Sequence, residues 1–202
     1  MVLKVIGFFI VGYIVGSIPW ALIIGQAFYH VDVRTGGSGN LGATNAGRVT
    51  GHGWVFVAVT ILDALKGFAV YTIMSRFDGE LALLSAFGVA VGHCYPVFAQ
   101  FHGGKGVATT MGIVLAVSMS SWSYWLWQFA LPVAVFAAIV LTTKYVSLGS
   151  LVAMGVAVAV AWVINPDRWV AVMLTALWLF VIYKHRSNID RLVHHQENKV
   201  KI

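Results

Sequence analysis

From Val5 to Val31 the chain runs for 27 residues without one Asp, Glu, Lys or Arg. A bilayer about 30 Å thick is crossed by about 20 helical residues, so such a run fixes the solvent as lipid before anything else is read. It exceeds the apolar core of a signal peptide and carries no small-residue cleavage pattern, which makes it a retained span. Charged residues punctuate the rest of the chain at similar intervals. They predict apolar helices at about 3–28, 53–75, 81–101, 107–120, 122–143, 146–164 and 168–184. Only 10% of the 202 residues are charged, against roughly 25% in a soluble domain. The expected fold is therefore an all-α integral membrane protein, a single membrane-embedded domain over 1–202 with about seven transmembrane helices. The fourth helix would reach only about 21 Å, so either a full hairpin or a re-entrant pair fits 107–143. Ser118, Ser120, Ser121 and Ser123 mark the break after it, and Pro132 is expected to kink the helix that follows.

Basic residues set the orientation. With the N-terminus outside, the inner face collects Arg34, Arg48, Lys105, Lys144, Lys184, Arg186, Arg191, Lys199 and Lys201, while Lys4, Arg76 and Arg168 stay outside. An excess of this size marks the cytoplasmic side. Asp78, Glu80 and Asp167 balance the outer cations, and Asp63 balances Lys66 inside the membrane, so the whole net charge of +6 falls on the inner face, with the C-terminus. If 107–143 were one crossing, Lys144 and the basic tail would move outside, which is why a hairpin of either kind is required. The lone Cys94 excludes an intrachain disulfide and a Cys-rich metal site. No metal, cofactor or nucleic-acid partner is expected.

Three polar segments, 32–52, 92–109 and 183–192, share the inner face in this topology. The first opens with "DVRTGGSGNLGATNAGR", rich in glycine, with Ser38, Asn40, Thr44 and Asn45 as donors and Arg34 and Arg48 as flanking cations. It is much longer than the connections around it, and long loops in compact domains are usually functional or disordered; its two arginines and lack of acids past Asp32 favour an anion site. The second contains "FHGGKG". Gly103, Gly104 and Gly106 permit backbone angles that let successive N–H groups converge on an anion, Lys105 adds a full charge, and the helix beginning near Val107 adds its positive end. The Walker A spacing, GxxxxGK(S/T), is absent. Lys105 also fits a lysine snorkelling to the interface, and His93 fits a hydrogen-bonded core histidine as well as a site residue. In the third, "YKHRSNIDRL", His185 and Asn188 are three apart and share a helix face. Lys184, Arg186 and Arg191 lie where lipid-headgroup anchors would, a role expected of two of the three. The HxxxxD spacing of His185 and Asp190 leaves the side chains about 140° apart on a helix, so they form a dyad only if the helix ends between them. Asp63 and Lys66, near the middle of the second helix, are either a self-neutralising structural pair or a functional one.

Together "GSIPWA" (16–21), "VRTGGSGNLGATNAGR" (33–48), "DALKG" (63–67), "GHCYPVFAQFHGGKGVAT" (92–109) and "KHRSNIDRL" (184–192) resemble one family along the whole chain. It is that of the bacterial membrane glycerol-3-phosphate acyltransferases that take their acyl group from acyl phosphate. The family usually has a glutamate where this chain has Ser187, so a carboxylate is not required there unless Asp190 substitutes. The resemblance implies transfer of a fatty acyl group to the sn-1 hydroxyl of glycerol 3-phosphate, releasing inorganic phosphate, at the cytoplasmic side of the inner membrane. It also implies a functional link to an enzyme that makes acyl phosphate. An activated acyl donor needs no strong base, so positioning of two anions and oxyanion stabilisation would supply most of the catalysis. Ser38, Arg48, Lys105, His185 and Asn188 are then the expected catalytic residues. Asn40, Thr44, Asn45, His93, Gly103, Gly104, Gly106 and Thr109 are expected to bind substrate. Ser38 is open to two roles, nucleophile or donor, and the absence of a paired base nearby favours donor. From a different class, a small transporter of organic phosphates would also need inner-face cations and would use Asp63 and Lys66 as a relay.

Overall fold

The structure is a computed structural model that describes residues 1–200; Lys201, counted above with the inner-face cations, lies outside the described residues. The first span is not one helix, as the unbroken hydropathy of 3–28 suggested, but two: α1 (Val2–Gly16) and α2 (Trp20–Tyr29). Pro19 is the cause, since it brings no N–H to the helical ladder and its ring displaces the carbonyl one turn back. Next come α3 (Ala43–Thr50), α4 (Gly53–Met74), α5 (Gly79–Cys94) and α6 (Val107–Ser118). The first polar segment, read from sequence as loop, thus contains a short helix. Beyond α6, α7 (Trp122–Thr143), α8 (Val146–Ile164), α9 (Arg168–Lys184) and α10 (Arg186–Val193) complete the chain. Five stretches are long and apolar enough to cross a bilayer: Val2–Tyr29, Gly53–Met74, Gly79–Ala99, Trp122–Thr143 and Val146–Ile164. The molecule is an all-helical integral membrane protein among its described residues.

The chain divides into two compact units, Met1–Ile113 and Val114–Ile202. In the first, α1 and α5 run parallel and nearly touch. Gly12 faces the Ser85 carbonyl, Gly16 that of Val89, Gly88 that of Phe9 and Gly92 that of Tyr13, each too close to admit a Cβ. Two Gly-xxx-Gly stripes thus interlock, the usual means of bringing helices together in lipid, where apolar burial gives no drive. The Ser85 hydroxyl seals the seam by donating to the Phe8 carbonyl at 2.9 Å. α4 meets the start of α6 through the same kind of contact, with Gly67 against the Thr109 carbonyl and Gly112 against that of Ala64. At one end Lys4 pairs with Asp78 at 2.8 Å, joining the start of α1 to the α4–α5 turn.

In the second unit α8 and α9 are tied by indoles: Trp178 Nε1 donates to the Leu151 carbonyl at 3.0 Å and Trp162 Nε1 to the Thr175 hydroxyl at 3.1 Å. The expected disturbance at Pro132 takes a definite form. Trp125–Ala130 is wound as π-helix, with the Leu131 N–H on the Leu126 carbonyl five residues back. Pro132 brings no N–H for the Gln128 carbonyl four residues back, and the wider winding falls in the turn that leads into it.

Candidate active site

The first polar segment is wrapped around one amide. Asn45, on α3 and buried, accepts the Ser38 N–H on Oδ1 at 2.8 Å and donates through Nδ2 to the carbonyls of Val33 (3.0 Å) and Gly36 (3.2 Å). Gly37, at φ +58°, passes so close to Asn45 Oδ1 that a Cβ would overlap it. Asn45, expected to bind substrate, thus spends its amide on shaping the loop. What the loop presents is Ser38, exposed, with Asn40 and Thr44 half-buried. Arg48, one helical turn beyond Asn45, is exposed and makes no hydrogen bond or ion pair among the described residues. Its counterpart Arg34 is already occupied: it grips Asp32 with Nη2 on Oδ2 at 2.6 Å and Nε on Oδ1 at 3.0 Å. That side-chain hydrogen bond holds the Asp32 carboxyl below its ordinary range and raises Arg34 above its own.

The second segment joins the first through shared core and backbone. Val33, Leu41, Ala46 and Ala99 bury in one apolar cluster with Ala21, Leu22 and Ile24 of α2 and Val55 and Val59 of α4. The Leu41 N–H reaches the Gly103 carbonyl at 3.4 Å. After α5 the chain makes a 3₁₀ turn at Val97–Ala99, and Gln100 and Phe101 both take left-handed angles, φ +55° and +61°. The expected nest over 103–106 is modified here. Gly104 donates its N–H to the His93 carbonyl at 3.0 Å, so that group is not available to an anion. Of the four residues only Gly106 has positive φ, +84°. Gly104 is required for space instead, because a Cβ there would overlap the His93 imidazole. Donors remain in the opening turn of α6, where Val107, Ala108 and Thr109 have no carbonyl one turn back within the helix. Lys105 sits half-buried at its entrance. Thr109 is fully buried, and its hydroxyl, like that of Thr110, has no hydrogen-bond partner among the described residues.

Beneath these loops lies a buried ionic cluster. Lys66 Nζ is 2.8 Å from Asp63 Oδ1, 2.9 Å from His93 Nδ1, and 3.0 and 3.2 Å from the carbonyls of Gly16 and Ile18. Those last two carbonyls belong to the break that Pro19 makes in the first span. The pair weighed from sequence as structural or functional is therefore committed to holding the α1–α2 bend and His93. Asp63 and Lys66 are only 2% and 5% exposed.

The third segment lies in the second unit. α9 ends at Lys184 and α10 begins at Arg186, with His185 at the kink. His185 is buried and its Nδ1 lies 2.8 Å from the Val181 carbonyl. A carbonyl only accepts, so Nδ1 carries the proton and Nε2 the lone pair in the neutral ring. The Asn188 N–H donates to the His185 carbonyl at 2.8 Å, which fixes the pair one turn apart. α10 runs straight through Asp190, which is exposed and pairs with His194, so His185 and Asp190 form no dyad. The carboxylate in this region comes from a residue that sequence reasoning missed. Glu197 accepts Asn188 Nδ2 at 2.6 Å, the Ser147 hydroxyl at 2.9 Å and Arg191 Nε at 2.8 Å. Burial alone would push Glu197 up, but hydrogen bonds from Asn188, Arg191 and Ser147 outweigh it and hold the carboxyl below its ordinary value. Of the three cations weighed as headgroup anchors, Arg191 is engaged by that carboxylate. The only cue in the sequence was an acid standing alone in a basic tail.

Among the described residues no group of three His, Cys, Asp or Glu could hold a metal ion. The first unit offers the Arg48 guanidinium, the Lys105 ammonium and backbone donors suited to anions, and the second unit separately carries His185 and the buried Asn188. Residues 6–195 match the family described as glycerol-3-phosphate acyltransferase. The chain is 42% identical over 193 residues to glycerol-3-phosphate acyltransferase 2 of Bacillus cereus, covering 95% of this chain and 92% of that protein. Its fold is similar to the crystal structure of PlsY (YgiH), an integral membrane glycerol 3-phosphate acyltransferase. The likeness to the glycerol 3-phosphate form has a TM-score of 0.88 at 36% identity, over 98% of this chain and 96% of that one. For the lysophosphatidic acid form the TM-score is 0.84 at 34% identity, over 98% and 95% of the two chains.

Proposed function

We propose, for a chain that belongs to the glycerol-3-phosphate acyltransferase family, that the acyl donor is acyl phosphate and the acceptor the sn-1 hydroxyl of glycerol 3-phosphate. The products are 1-acylglycerol 3-phosphate and inorganic phosphate. The reaction unites two phosphates and one acyl tail, so it needs cations and donors at the membrane surface above an apolar bed. The observation that carries this reading is Arg48: a guanidinium with no carboxylate partner among the described residues, beside a loop wrapped around Asn45, in the unit that also bears Lys105. Two cations within donor-rich segments suit two phosphates.

In this reading Arg48 and Lys105 neutralise the phosphates, and the opening turn of α6 adds N–H donors and a positive helix end. Ser38, Asn40 and Thr44 donate hydrogen bonds, and Asn45, Gly103, Gly104, Gly106 and His93 hold the loops in shape. His185, with its lone pair on Nε2, orients the attacking hydroxyl, and Asn188, held by Glu197, accompanies it. No covalent intermediate is required, since phosphate is already a good leaving group on the acyl carbon. Positioning and charge stabilisation supply the rate. The site faces the cytoplasm from the inner membrane, with the N-terminus outside and about seven crossings, and an enzyme that makes acyl phosphate supplies the donor.

The test is purified protein in detergent given glycerol 3-phosphate with acyl phosphate, acyl-CoA or acyl carrier protein in parallel. Release of phosphate matched by lysophosphatidate, with acyl phosphate alone, is the expected result. Equal turnover with acyl-CoA would reassign the donor.

A further inference from the structure

We propose that Lys66 is a positioning residue for the phosphate site: it sets which nitrogen of His93 carries the proton while it ties down the break in the first span. The inference rests on the reading of the Gly103–Gly106 turn and Lys105 as a phosphate cradle. An ionised lysine has three hydrogens and no lone pair, so toward the His93 Nδ1 at 2.9 Å it only donates. Nδ1 is then unprotonated, and the neutral ring keeps its hydrogen on Nε2. His93 Nδ1 and Asp63 Oδ1, 3.3 Å apart, are both acceptors, brought side by side by the ammonium they share.

The Nε2 edge is the edge that matters. It packs against Gly104, where an added Cβ would meet Nε2 first, then Cε1 and Cδ2. The same histidine accepts the Gly104 N–H on its main-chain carbonyl. His93 thus holds the turn next to Lys105 by backbone and by ring. Lys66 orders that ring and, through the carbonyls of Gly16 and Ile18, fastens it to the bend at Pro19. A buried charge in a membrane helix is costly, and an apolar side chain would fill the space without ordering the imidazole.

Full-length protein in detergent with ¹⁵N-labelled histidine reports the tautomer directly, the His93 signals being identified by their loss in His93→Gln. Lys66→Met removes the donor. Because it strands Asp63, Asp63→Leu with Lys66→Met provides a neutral pair that folds more readily. Initial rates are measured for these changes in the native and the His93→Gln backgrounds, since glutamine offers an N–H near the Nε2 position and has no tautomer to set. The expected result is protonation on Nε2 in the native protein and a mixture once Lys66 is gone. kcat/KM should fall at least tenfold in the native background and less than threefold in the His93→Gln background. A proton on Nδ1 in the native protein, or the same fractional loss in both backgrounds, overturns the proposal. Normal rates in Lys105→Ala would instead remove the cradle reading, whatever the tautomer.

Discussion

Arg34 and Arg48 bracket one loop and look equivalent in the sequence, yet their surroundings separate them. Asp32 takes two edges of the Arg34 guanidinium, and because its carboxyl is held below the ordinary range, the pair persists until pH falls through that lowered value. Arg48 has no such partner among the described residues. Replacing Arg48 by Ala should lower kcat/KM about 100-fold, equivalent to roughly 2.7 kcal/mol of transition-state stabilisation, while Arg34→Ala should cost less than about threefold at the same site. Initial rates with both substrates decide it, and similar losses in the two variants would remove the distinction. Gly104→Ala carries a changed expectation. From sequence it should chiefly raise KM by obstructing a nest. With the His93 ring where the Cβ would go, it should instead lower the melting temperature and kcat/KM for both substrates together. A raised KM for one substrate at unchanged stability would restore the nest. The donor-rich loops were legible because hydroxyls, amides and cations concentrate there. Which amide turns inward was not: Asn45 and Asn40 read alike until the loop is wrapped around one of them. Glu197 escaped because it lies beyond the last motif, nine residues from the Asn188 it holds.

Hydropathy and charge spacing locate a helix well when its ends are polar, which is why 146–164 and 168–184 coincide with α8 and α9. They are blind to a break whose flanks stay apolar, and the interruption at Ser17–Pro19 therefore passed as one span despite its proline. The contacts that hold the elements together are likewise silent in hydropathy. Gly7 and Gly16 lie on one helix, but nothing lies within 4 Å of a Cβ on Gly7, whereas one on Gly16 meets the Val89 backbone. Gly16→Ala should destabilise by about 1–3 kcal/mol, the range of overpacked interiors, and Gly7→Ala should leave stability unchanged or slightly improved. Melting in detergent, followed by tryptophan fluorescence, compares the two; an equal effect would mean that α1 and α5 are not in close contact. Gln128, in the π-wound turn of α7, is fully buried with neither amide atom hydrogen-bonded. An apolar side chain of similar size relieves that burden, so Gln128→Leu should raise the melting temperature. A fall would reveal a polar partner for the amide.

At the scale of the whole molecule, the membrane-spanning character and the three polar segments were legible together, because both follow from counting charges between apolar runs. The number of crossings was less so. α6 has 12 residues, a rise of about 18 Å, and length alone does not say whether it reaches the far surface. The charge balance argues that it does so together with α7: a single crossing over 107–143 would carry Lys144, Lys184, Arg186, Arg191 and Lys199 to the outer side, against the bias that orients membrane proteins. The buried lone Cys94 gives a low background for labelling by a membrane-impermeant thiol reagent. Single cysteines at Thr35, Phe77, Met119 and Lys199, all exposed positions, then read the topology in cells and in inverted vesicles. Thr35→Cys and Lys199→Cys should react only from the cytoplasmic side and Phe77→Cys only from outside. Met119→Cys should also react from outside, which counts seven crossings. Failure of Met119→Cys to react from either side would leave α6 and α7 as a re-entrant pair beside five spans. Reaction of Lys199→Cys from outside would undo the proposed orientation, and with it the placing of His185 and Asn188 on the face that meets glycerol 3-phosphate.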